Sequence, residues 1–372
     1  MPTRNMLSDS ALIKDRIHFD PFADAKALAA RLPVIQIPPE FWGGLQPKLA
    51  DVNHGPTDPL SNADVLVITW TTAEAEALSA VFTGNHDFQA TWFAYKHKSA
   101  SILRGVPQGV INEKANSTSL KIGIVGFFTK VSFSGKNVLL FKSELHPADD
   151  GNKLPVINLI TQIASEVNPS LVITTGTAGA IGKHLEAADA VVTSGSRFFL
   201  ISPKSYPSFP GITAKAIFSG LMNLTFDKKF ITKCNNEVTS LVKQTVMNIC
   251  KTNGYPLLTR TPKIFYNNVP GTKLFDAVSS NKFSMDDAAD TDGLQQLGIF
   301  NEMNDAFVSF ALSANDATKK IPWLAIRNMS EPQAPDLSKP TKNKWSNMYK
   351  AIGFYTTYNS AFACWAVICG LA

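Results

Sequence analysis

Cysteine and histidine are too few and too scattered in this chain to indicate a metal or redox centre. The four cysteines show no CxxC spacing, and the six histidines include no pair separated by one helical turn. We therefore expect no metal and no cofactor, and we expect reduced thiols instead of a disulfide framework. The cysteines are Cys234, Cys250, Cys364 and Cys369.

Charged residues are also sparse: they make up 17% of the chain, and the formal net charge is only +5. No dense basic stripe with interleaved aromatic residues occurs, so the sequence does not indicate a nucleic acid partner. The N-terminal residues contain no apolar signal core, and we expect a cytoplasmic protein. An apolar content of 45% predicts an ordinary globular core.

A long apolar run occupies residues 351–372, AIGFYTTYNSAFACWAVICGLA. Its length approaches that of a membrane span, but Thr356, Asn359 and Ser360 interrupt it, and no charge follows its apolar end. We predict a buried terminal helix packed on a sheet, and no membrane partner.

Composition divides the chain into two parts. Residues 1–62 are rich in proline and in short broken segments, which predicts an arm that wraps the core or caps a neighbouring subunit. Strand and helix patterns alternate from residue 63 onward, so residues 63–372 are predicted to form the main domain. Residues 200–263 interrupt this alternation and are predicted to be an insertion covering one end of the sheet.

Apolar runs such as ADVLVITW, KNVLLFKS and SLVITTG alternate with helical segments such as TTAEAEALSAVF and LPVINLITQIASEV. This alternation is typical of a largely parallel sheet with helices on both faces. The predicted fold class is α/β: a single three-layer α/β/α domain with a mixed, mostly parallel, twisted central sheet.

The segment SLVITTGTAGAIG, residues 170–182, combines a buried strand pattern with a run of small residues. Gly176, Ala178 and Gly179 remove side-chain bulk, so backbone N–H groups and the Thr177 hydroxyl can approach a ligand closely. We predict a strand followed by a small-residue turn that holds an anion or a sugar. A strand-to-helix connection without a ligand is the alternative.

Three further segments place polar side chains at strand ends or helix starts. ADVLVITW runs into Glu74 and Glu76 at the opening of a helix, where α/β sheets commonly bind ligands. GIFNEMNDAFVSFAL predicts a second helix start, and IPWLAIRNMSE predicts a buried strand with a polar end. The candidate site positions of these two segments are Glu302, Met303, Asn304, Asp305, Arg327, Ser330 and Glu331.

Taken in order, these segments resemble the nucleoside phosphorylase superfamily, and within it the methylthioadenosine and S-adenosylhomocysteine nucleosidase branch. TTGTAGAIG with ADAVVTSG is similar to that family's glycine turn and following strand. NEMNDAF is similar to its EMEA helix start, and RNMSE to its R-x-I-S-D strand end. The resemblance covers residue 64 to the C-terminus. It implies a nucleoside phosphorylase-like fold, a homo-oligomer, and hydrolysis of the N-glycosidic bond of a purine nucleoside through an oxocarbenium-like transition state.

The resemblance also implies roles for individual residues. Glu331 matches the acid that protonates the purine, Glu74 matches the glutamate that orients the attacking water, and Arg327 matches the arginine that orders the carboxylates. Glu76 competes with Glu74 for this assignment, although we expect it on a solvated helix face. The implied substrate-binding residues are Gly176, Thr177, Ala178, Gly179, Phe283, Glu302, Met303, Asn304 and Ser330. Among them, Met303 matches the family's methionine, which lies under the ribose, and Phe283 matches its phenylalanine, which stacks on the purine.

Two matched positions depart from the family. Asn304 replaces a glutamate that accepts hydrogen bonds from both ribose hydroxyls, which implies either a deoxygenated or substituted sugar or a loss of catalysis. Glu331 replaces an aspartate and is longer by one methylene. A non-catalytic nucleoside-binding or storage protein on the same fold is therefore an alternative. A nucleoside phosphorylase is a further alternative, in which Lys130 and Lys142 are candidate phosphate ligands. The loops at residues 70–72 and 142–146 contain no arginine to bind phosphate, which favours hydrolysis.

Overall fold

A mixed β-sheet lies at the centre of the molecule, with helices on both of its faces. The computed structural model describes residues 34–50, 54–104, 117–146, 155–199, 217–219, 224–266, 269–280, 293–331 and 342–372. The strands of these ranges are β1 Lys48–Leu49, β2 Val65–Thr69, β3 Phe93–Tyr95, β4 Gly126–Phe133, β5 Lys136–Ser143, β6 Leu171–Ala180, β7 Ala190–Thr193, β8 Gly195–Phe199, β9 Ile217–Ser219, β10 Ile264–Tyr266, β11 Ala277–Ser280, β12 Phe300–Glu302 and β13 Trp323–Glu331.

The helices surround this sheet in two layers. They are α1 Pro39–Trp42, α2 Thr72–Thr83, α3 Ser99–Leu103, α4 Ser117–Lys121, α5 Pro155–Val167, α6 Lys229–Glu237, α7 Thr239–Asn253, α8 Asp305–Ser313 and α9 Lys342–Gly370. Two short 3₁₀ turns, Phe88–Ala90 and Leu294–Gln296, complete the regular structure of the described ranges.

Strand β6 organises the sheet. Strands β5, β2, β6 and β13 lie side by side in this order and run parallel to one another, whereas β4 joins β5 as an antiparallel hairpin. The pairing continues from β13 to β7 and β10 on one side of β6, and from β12 to β11, β8 and β9 on the other. The predicted fold class, a three-layer α/β/α arrangement around a mixed sheet, is confirmed.

Side-chain alternation in β2 explains why both faces of the sheet are covered. Val65 and Val67 pack into the apolar cluster that includes α2 and α9, while Leu66 and Ile68 pack into the cluster that includes α5. All five residues of β2 are buried, as expected for a strand covered on both faces.

The C-terminal helix α9 is one of the most buried elements of the protein. Residues 352–370 are all buried, and the helix packs on β13, α2, α6 and α7. The predicted buried terminal helix is therefore confirmed. Among the residues described, no helix has the length and apolar character needed to cross a membrane.

The N-terminal arm folds back on its own chain where the structure describes it. Phe41 and Trp42 are buried, and the ring centroid of Phe41 lies 4.9 Å from that of Trp365 and 5.7 Å from that of Phe362 in α9. Strand β1 then pairs with the edge strand β4. The boundary predicted at residues 62 and 63 remains a prediction.

The helical part of the predicted insertion joins the core. Helices α6 and α7 pack against α9 and bury Val238, Val242 and Val246 in the same apolar cluster as α2. Both helices lie within the segment DKKFITKCNNEVTSLVKQTVMNICKTN. Residues 200–216 lie outside the described residues.

The predicted small-residue turn is wrong. Residues 171–180 form one continuous strand, so Gly176, Thr177, Ala178 and Gly179 are strand residues. Their backbone pairs with β13 along residues 172–179, and β12 pairs with the end of β6 at Gly179 and Ala180. Pairing with these two strands, which come from the last quarter of the chain, keeps β6 in strand conformation beyond its apolar residues.

Docking of the arm can be tested at Phe41. Phe41→Ala removes a buried ring, and we expect it to lower the free energy of unfolding by ~3–5 kcal/mol. Leu49→Ala is the control, because this side chain of the same arm is 50% exposed and its loss should cost less than ~0.5 kcal/mol. Urea denaturation followed by circular dichroism measures both values. Equal, small effects would contradict docking of the arm.

Candidate active site

The candidate site begins at a gap in the pairing of β6. One edge of this strand pairs with β13 over residues 172–179. The opposite edge pairs with β2 up to Thr174 and with β12 from Gly179 onward, which leaves residues 175–178 without a strand partner on that side. Unpaired backbone groups inside a protein require other hydrogen-bond partners.

The carboxylate of Glu74 occupies this gap. Its Oε1 accepts hydrogen bonds from the backbone N–H and the hydroxyl of Thr177, at 2.8 and 2.9 Å. Its Oε2 accepts from the Thr69 hydroxyl at 2.8 Å and from the backbone N–H groups of Trp70 and Thr71 at 3.1 and 2.9 Å. Glu74 is only 2% exposed, so these donors fix one carboxylate across the gap.

Local sequence explains how Glu74 reaches this position. Thr71 and Glu74 form a capping box at the start of α2, in which the Thr71 hydroxyl accepts from the Glu74 backbone N–H at 3.3 Å. Gly176 leaves room for the carboxylate, because a Cβ there would lie 2.3 Å from Glu74 Oε1. Gly176 also has a φ of +149°, which other residues rarely adopt.

A second cluster surrounds the guanidinium of Arg327, which is 1% exposed. Arg327 Nη2 and Nε lie 2.5 and 3.2 Å from the two carboxylate oxygens of Asp305, a bidentate pair. Nη2 also lies 3.4 Å from Glu302 Oε2, and Thr174 donates to Asp305 Oδ1 at 2.7 Å. Burial alone would lower the pKa of Arg327, but Asp305 and Glu302 outweigh this effect and raise the pKa.

Glu302 caps helix α8 from within the site. Its Oε2 accepts from the backbone N–H groups of Asn304 and Asp305 at 2.5 and 2.9 Å, and the Ser279 hydroxyl donates to Oε1. Ser279 Oγ in turn accepts from the Ala306 backbone N–H at 2.8 Å. Burial raises the pKa of Glu302 to about 7; the charge of Asp305 adds to this shift and that of Arg327 opposes it.

Trp70 connects the two clusters. The guanidinium carbon of Arg327 lies 5.0 Å from the centre of the Trp70 ring, and the Trp70 backbone donates to Glu74. Arg327 is also the residue of β13 that pairs with Gly176. The clusters therefore form one site at the carboxyl ends of parallel strands β2, β6 and β13, where ligands of α/β proteins commonly bind.

Met303 and Asn304 lie beside this site and are 5% and 6% exposed. Asn304 occupies the N-cap position of α8, but its side chain makes no capping hydrogen bond. Its Oδ1 is buried and has no hydrogen-bond partner in the described part of the structure. A buried acceptor without a partner costs ~1–3 kcal/mol, which a ligand hydroxyl could offset.

Of the other predicted substrate-binding residues, the structure describes three and does not describe the fourth. Ala178, Gly179 and Ser330 are buried, and the Ser330 hydroxyl lies 3.4 Å from the Ala178 carbonyl oxygen. The backbone of Glu331 pairs with Gly179, next to the gap in β6. Phe283 lies outside the described residues.

The expectation for Glu76 is wrong. This residue was placed on a solvated helix face, but it is only 6% exposed. Helix α2 is buried from Ala73 to Phe82, and α9 packs against it.

Sequence analysis missed three contributors to the site. Asp305 was predicted at a helix start, but its pairing with Arg327 was not. The indole of Trp70 and the hydroxyl of Tyr349, 3.4 Å from Thr177 Oγ1, were not considered. The T-x-x-E spacing of Thr71 and Glu74 is a local signal that could have located the Glu74 carboxylate. Tyr349 comes from α9, and no local signal connects it to β6.

Two lysines were candidates for binding phosphate, and both make contacts within the protein. Lys142 is buried and forms an ion pair of 2.5 Å with Glu144. Lys130 is hydrogen-bonded to the Asn62 carbonyl oxygen at 2.7 Å and to Ser61 Oγ at 3.3 Å. Within the described ranges, no group of three or more His, Cys, Asp or Glu residues has a geometry that could hold a metal ion.

No protein-family model and no curated protein matches the sequence. Comparison with solved structures gives matches of low sequence identity, 11–14% for the three that follow. A methylthioadenosine/S-adenosylhomocysteine nucleosidase from Neisseria meningitidis, in complex with methylthio-immucillin-A, is 14% identical over 82% of this chain and 97% of its own, with a TM-score of 0.46.

Two further matches have similar values. The futalosine hydrolase of Helicobacter pylori is 12% identical over 82% of this chain and 97% of its own, with a TM-score of 0.45. A nucleosidase from Colwellia psychrerythraea, in complex with adenine, is 11% identical over 84% and 98%, with a TM-score of 0.47.

Substitution of Gly176 tests the contact between β6 and Glu74. Gly176→Ala places a methyl group against the carboxylate and strains the backbone, so we expect a loss of ~2–4 kcal/mol in the free energy of unfolding. Gly84→Ala is the matched control: its φ is +73°, but a Cβ there meets no atom within 4 Å. The control should lose only ~1 kcal/mol. Equal losses in denaturant titrations would show that the carboxylate does not depend on Gly176.

The raised pKa of Glu302 predicts a stability that depends on pH. Protonation favours the folded state, so the contribution is complete below the unfolded-state pKa of 4.5 and is lost as the pH rises through about 7. Glu302→Gln does not titrate, and relative to the wild type it should gain up to ~3 kcal/mol in the free energy of unfolding between low and mildly alkaline pH. Chemical denaturation across this range measures the difference. A constant difference would contradict the shift.

Proposed function

We propose that this protein is a purine nucleosidase, which hydrolyses the N-glycosidic bond of a purine nucleoside to a free base and a sugar. One observation carries the proposal: Glu74 and Thr177, at the gap in β6, lie beside a buried cluster of acidic groups around Arg327. Such a reaction needs a positioned water, stabilisation of a cationic sugar and protonation of the departing base.

Glu74 and Thr177 are proposed to hold the attacking water. The Thr177 hydroxyl donates to Glu74 Oε1, so its oxygen can still accept a hydrogen bond from water. The backbone N–H and the hydroxyl of Thr177 are two of the five donors to Glu74, so the fixed carboxylate also sets the orientation of the Thr177 side chain. A water held in this way would face the anomeric carbon of a sugar bound at the gap.

The acidic cluster is proposed to stabilise the sugar cation. Glu74, Glu302 and Asp305 supply three carboxyl groups, and Arg327, whose guanidinium pairs with Glu302 and Asp305, is the one arginine near them among the described residues. The excess of acidic groups favours a developing positive charge, and their burial strengthens this effect. The polarizable side chain of Met303 would pack against the sugar ring.

Glu331 is proposed as the acid that protonates the base. This role comes from the sequence resemblance and is supported by the position of its backbone, which pairs with Gly179 beside the gap. Hydrolysis is preferred to phosphorolysis because the two candidate lysines, Lys130 and Lys142, already bind groups within the protein.

Chromatographic detection of free base from a panel of purine nucleosides, with and without phosphate, tests the proposal. The panel includes methylthioadenosine, S-adenosylhomocysteine, adenosine, inosine and their deoxy forms. We expect base release without phosphate, and its loss in Glu331→Gln. Release only with phosphate would indicate a phosphorylase. No release by the folded protein would favour the alternative of a nucleoside-binding or storage protein.

Glu74→Gln provides a second test, because the amide keeps the shape but cannot accept all five hydrogen bonds. We expect turnover to fall by ~10²-fold or more. Glu166→Gln is the matched control: this carboxylate accepts from the Leu60 backbone, the Tyr95 hydroxyl and His97 Nδ1, at 2.9, 2.8 and 2.7 Å. Glu166 lies near the end of β2 that is opposite the candidate site, so Glu166→Gln should leave turnover unchanged. Similar losses in both variants would contradict the role of Glu74.

A further inference from the structure

Tyr349 brings a hydroxyl from the C-terminal helix α9 to the gap in β6. Its oxygen lies 3.4 Å from Thr177 Oγ1, and the residue is 8% exposed. Thr177 is the one residue of β6 that is not fully buried. Two hydroxyls therefore lie side by side at the point where this strand keeps some contact with solvent.

The distance between the two hydroxyl oxygens leaves room for a shared partner. It is longer than a hydrogen bond between hydroxyls, which spans about 2.5–3.0 Å. The Thr177 hydroxyl donates instead to Glu74 Oε1 at 2.9 Å. A hydroxyl oxygen that donates can also accept, so both oxygens keep acceptor capacity. One water oxygen can lie within hydrogen-bonding distance, about 2.8 Å, of both of them.

Helix α9 holds Tyr349 in place beside Thr177. The helix packs on β13, β6 and α2, and the Tyr349 ring belongs to the apolar cluster between them. The two other tyrosines of this helix, Tyr355 and Tyr358, have buried hydroxyls without a hydrogen-bond partner among the described residues. Tyr349 differs from them because its hydroxyl lies beside a residue of the candidate site.

We propose that Tyr349 is a further catalytic residue, which binds the attacking water together with Thr177. This inference rests on the proposed function and extends its water site to a residue of α9. The water donates one hydrogen to each hydroxyl oxygen, so that a lone pair of its own oxygen is directed at the anomeric carbon. Tyr349 thereby fixes the second hydrogen of the water, which Thr177 alone leaves free.

The same arrangement accounts for the protons of the reaction. The water oxygen forms the new bond to the anomeric carbon, and the electron pair of the broken C–N bond leaves with the base, which takes a proton from Glu331. The water passes one proton to Thr177 Oγ1 while the hydroxyl proton of Thr177 moves to Glu74 Oε1, which it already contacts. The second hydrogen stays on the new hydroxyl group of the sugar, and Tyr349 keeps its own proton.

Tyr349→Phe removes the hydroxyl and keeps the ring. Base release without phosphate is measured on the best substrate of the nucleoside panel. We expect kcat to fall by ~10-fold, as for the loss of one hydrogen bond, and KM to stay within ~2-fold, because the hydroxyl contacts water and not the nucleoside. An unchanged kcat would overturn this inference, although the nucleosidase activity would stand. No base release by the wild type would overturn the proposed function and this inference together.

Tyr355→Phe is the matched control, because it makes the same change in the same helix. Its hydroxyl is buried and has no partner among the described residues. We expect kcat and KM of this variant to stay within ~2-fold of the wild type. An equal loss of kcat in both variants would show that turnover follows the packing of α9, and would overturn the role of Tyr349.

A double-mutant cycle with Thr177→Val tests whether the two hydroxyls hold the same water. Valine keeps the branched shape of threonine and suits a strand. In this background Tyr349→Phe should lower kcat by no more than ~2-fold, because groups that act on one water do not contribute independently. Losses that multiply in the double variant would indicate two separate contacts and would overturn the shared water.

Discussion

The charge of Arg327 is the constraint around which the site is arranged. A guanidinium does not lose its proton in a protein, so its burial requires carboxylate partners. Asp305 and Glu302 provide these partners, and a hydrogen bond from Thr174 connects Asp305 to the central strand β6. One ion-pair cluster thus joins β13, α8, β12 and β6. Loss of one partner would leave a buried charge uncompensated at a cost of ~3–5 kcal/mol, so stability and site geometry are coupled.

Two helices begin at the site and present their N-termini to it. Glu74 lies in the first turn of α2 and Asp305 in the first turn of α8, while Glu302 accepts from backbone groups at the start of α8. The dipole at a helix N-terminus favours negative charge. The acidic groups of the candidate site are therefore held by the same backbone groups that begin the helices, and the side chains proposed for the chemistry also cap these helices.

Sequence patterns located the parts of the site but not the contacts between them. The apolar run of β2 and the strand end at Arg327 are local features, and both were predicted. The pairing of Arg327 with Asp305 and the extension of β6 depend on partners that are distant in sequence. Thr174 and Asp305, for example, are separated by 131 residues. The burial of Glu76 was missed for the same reason, since it depends on α9 covering α2.

The pairing of β6 also determines the order in which the sheet can be completed. During synthesis from the N-terminus, β2 and β5 are available when β6 emerges, whereas β12 and β13 follow more than a hundred residues later in the chain. Until then β6 has an open apolar edge, which can associate with other chains, and pairing over such distances is slow. Aggregation therefore competes with folding in incompletely synthesised chains, and it does so at the strand that carries the site.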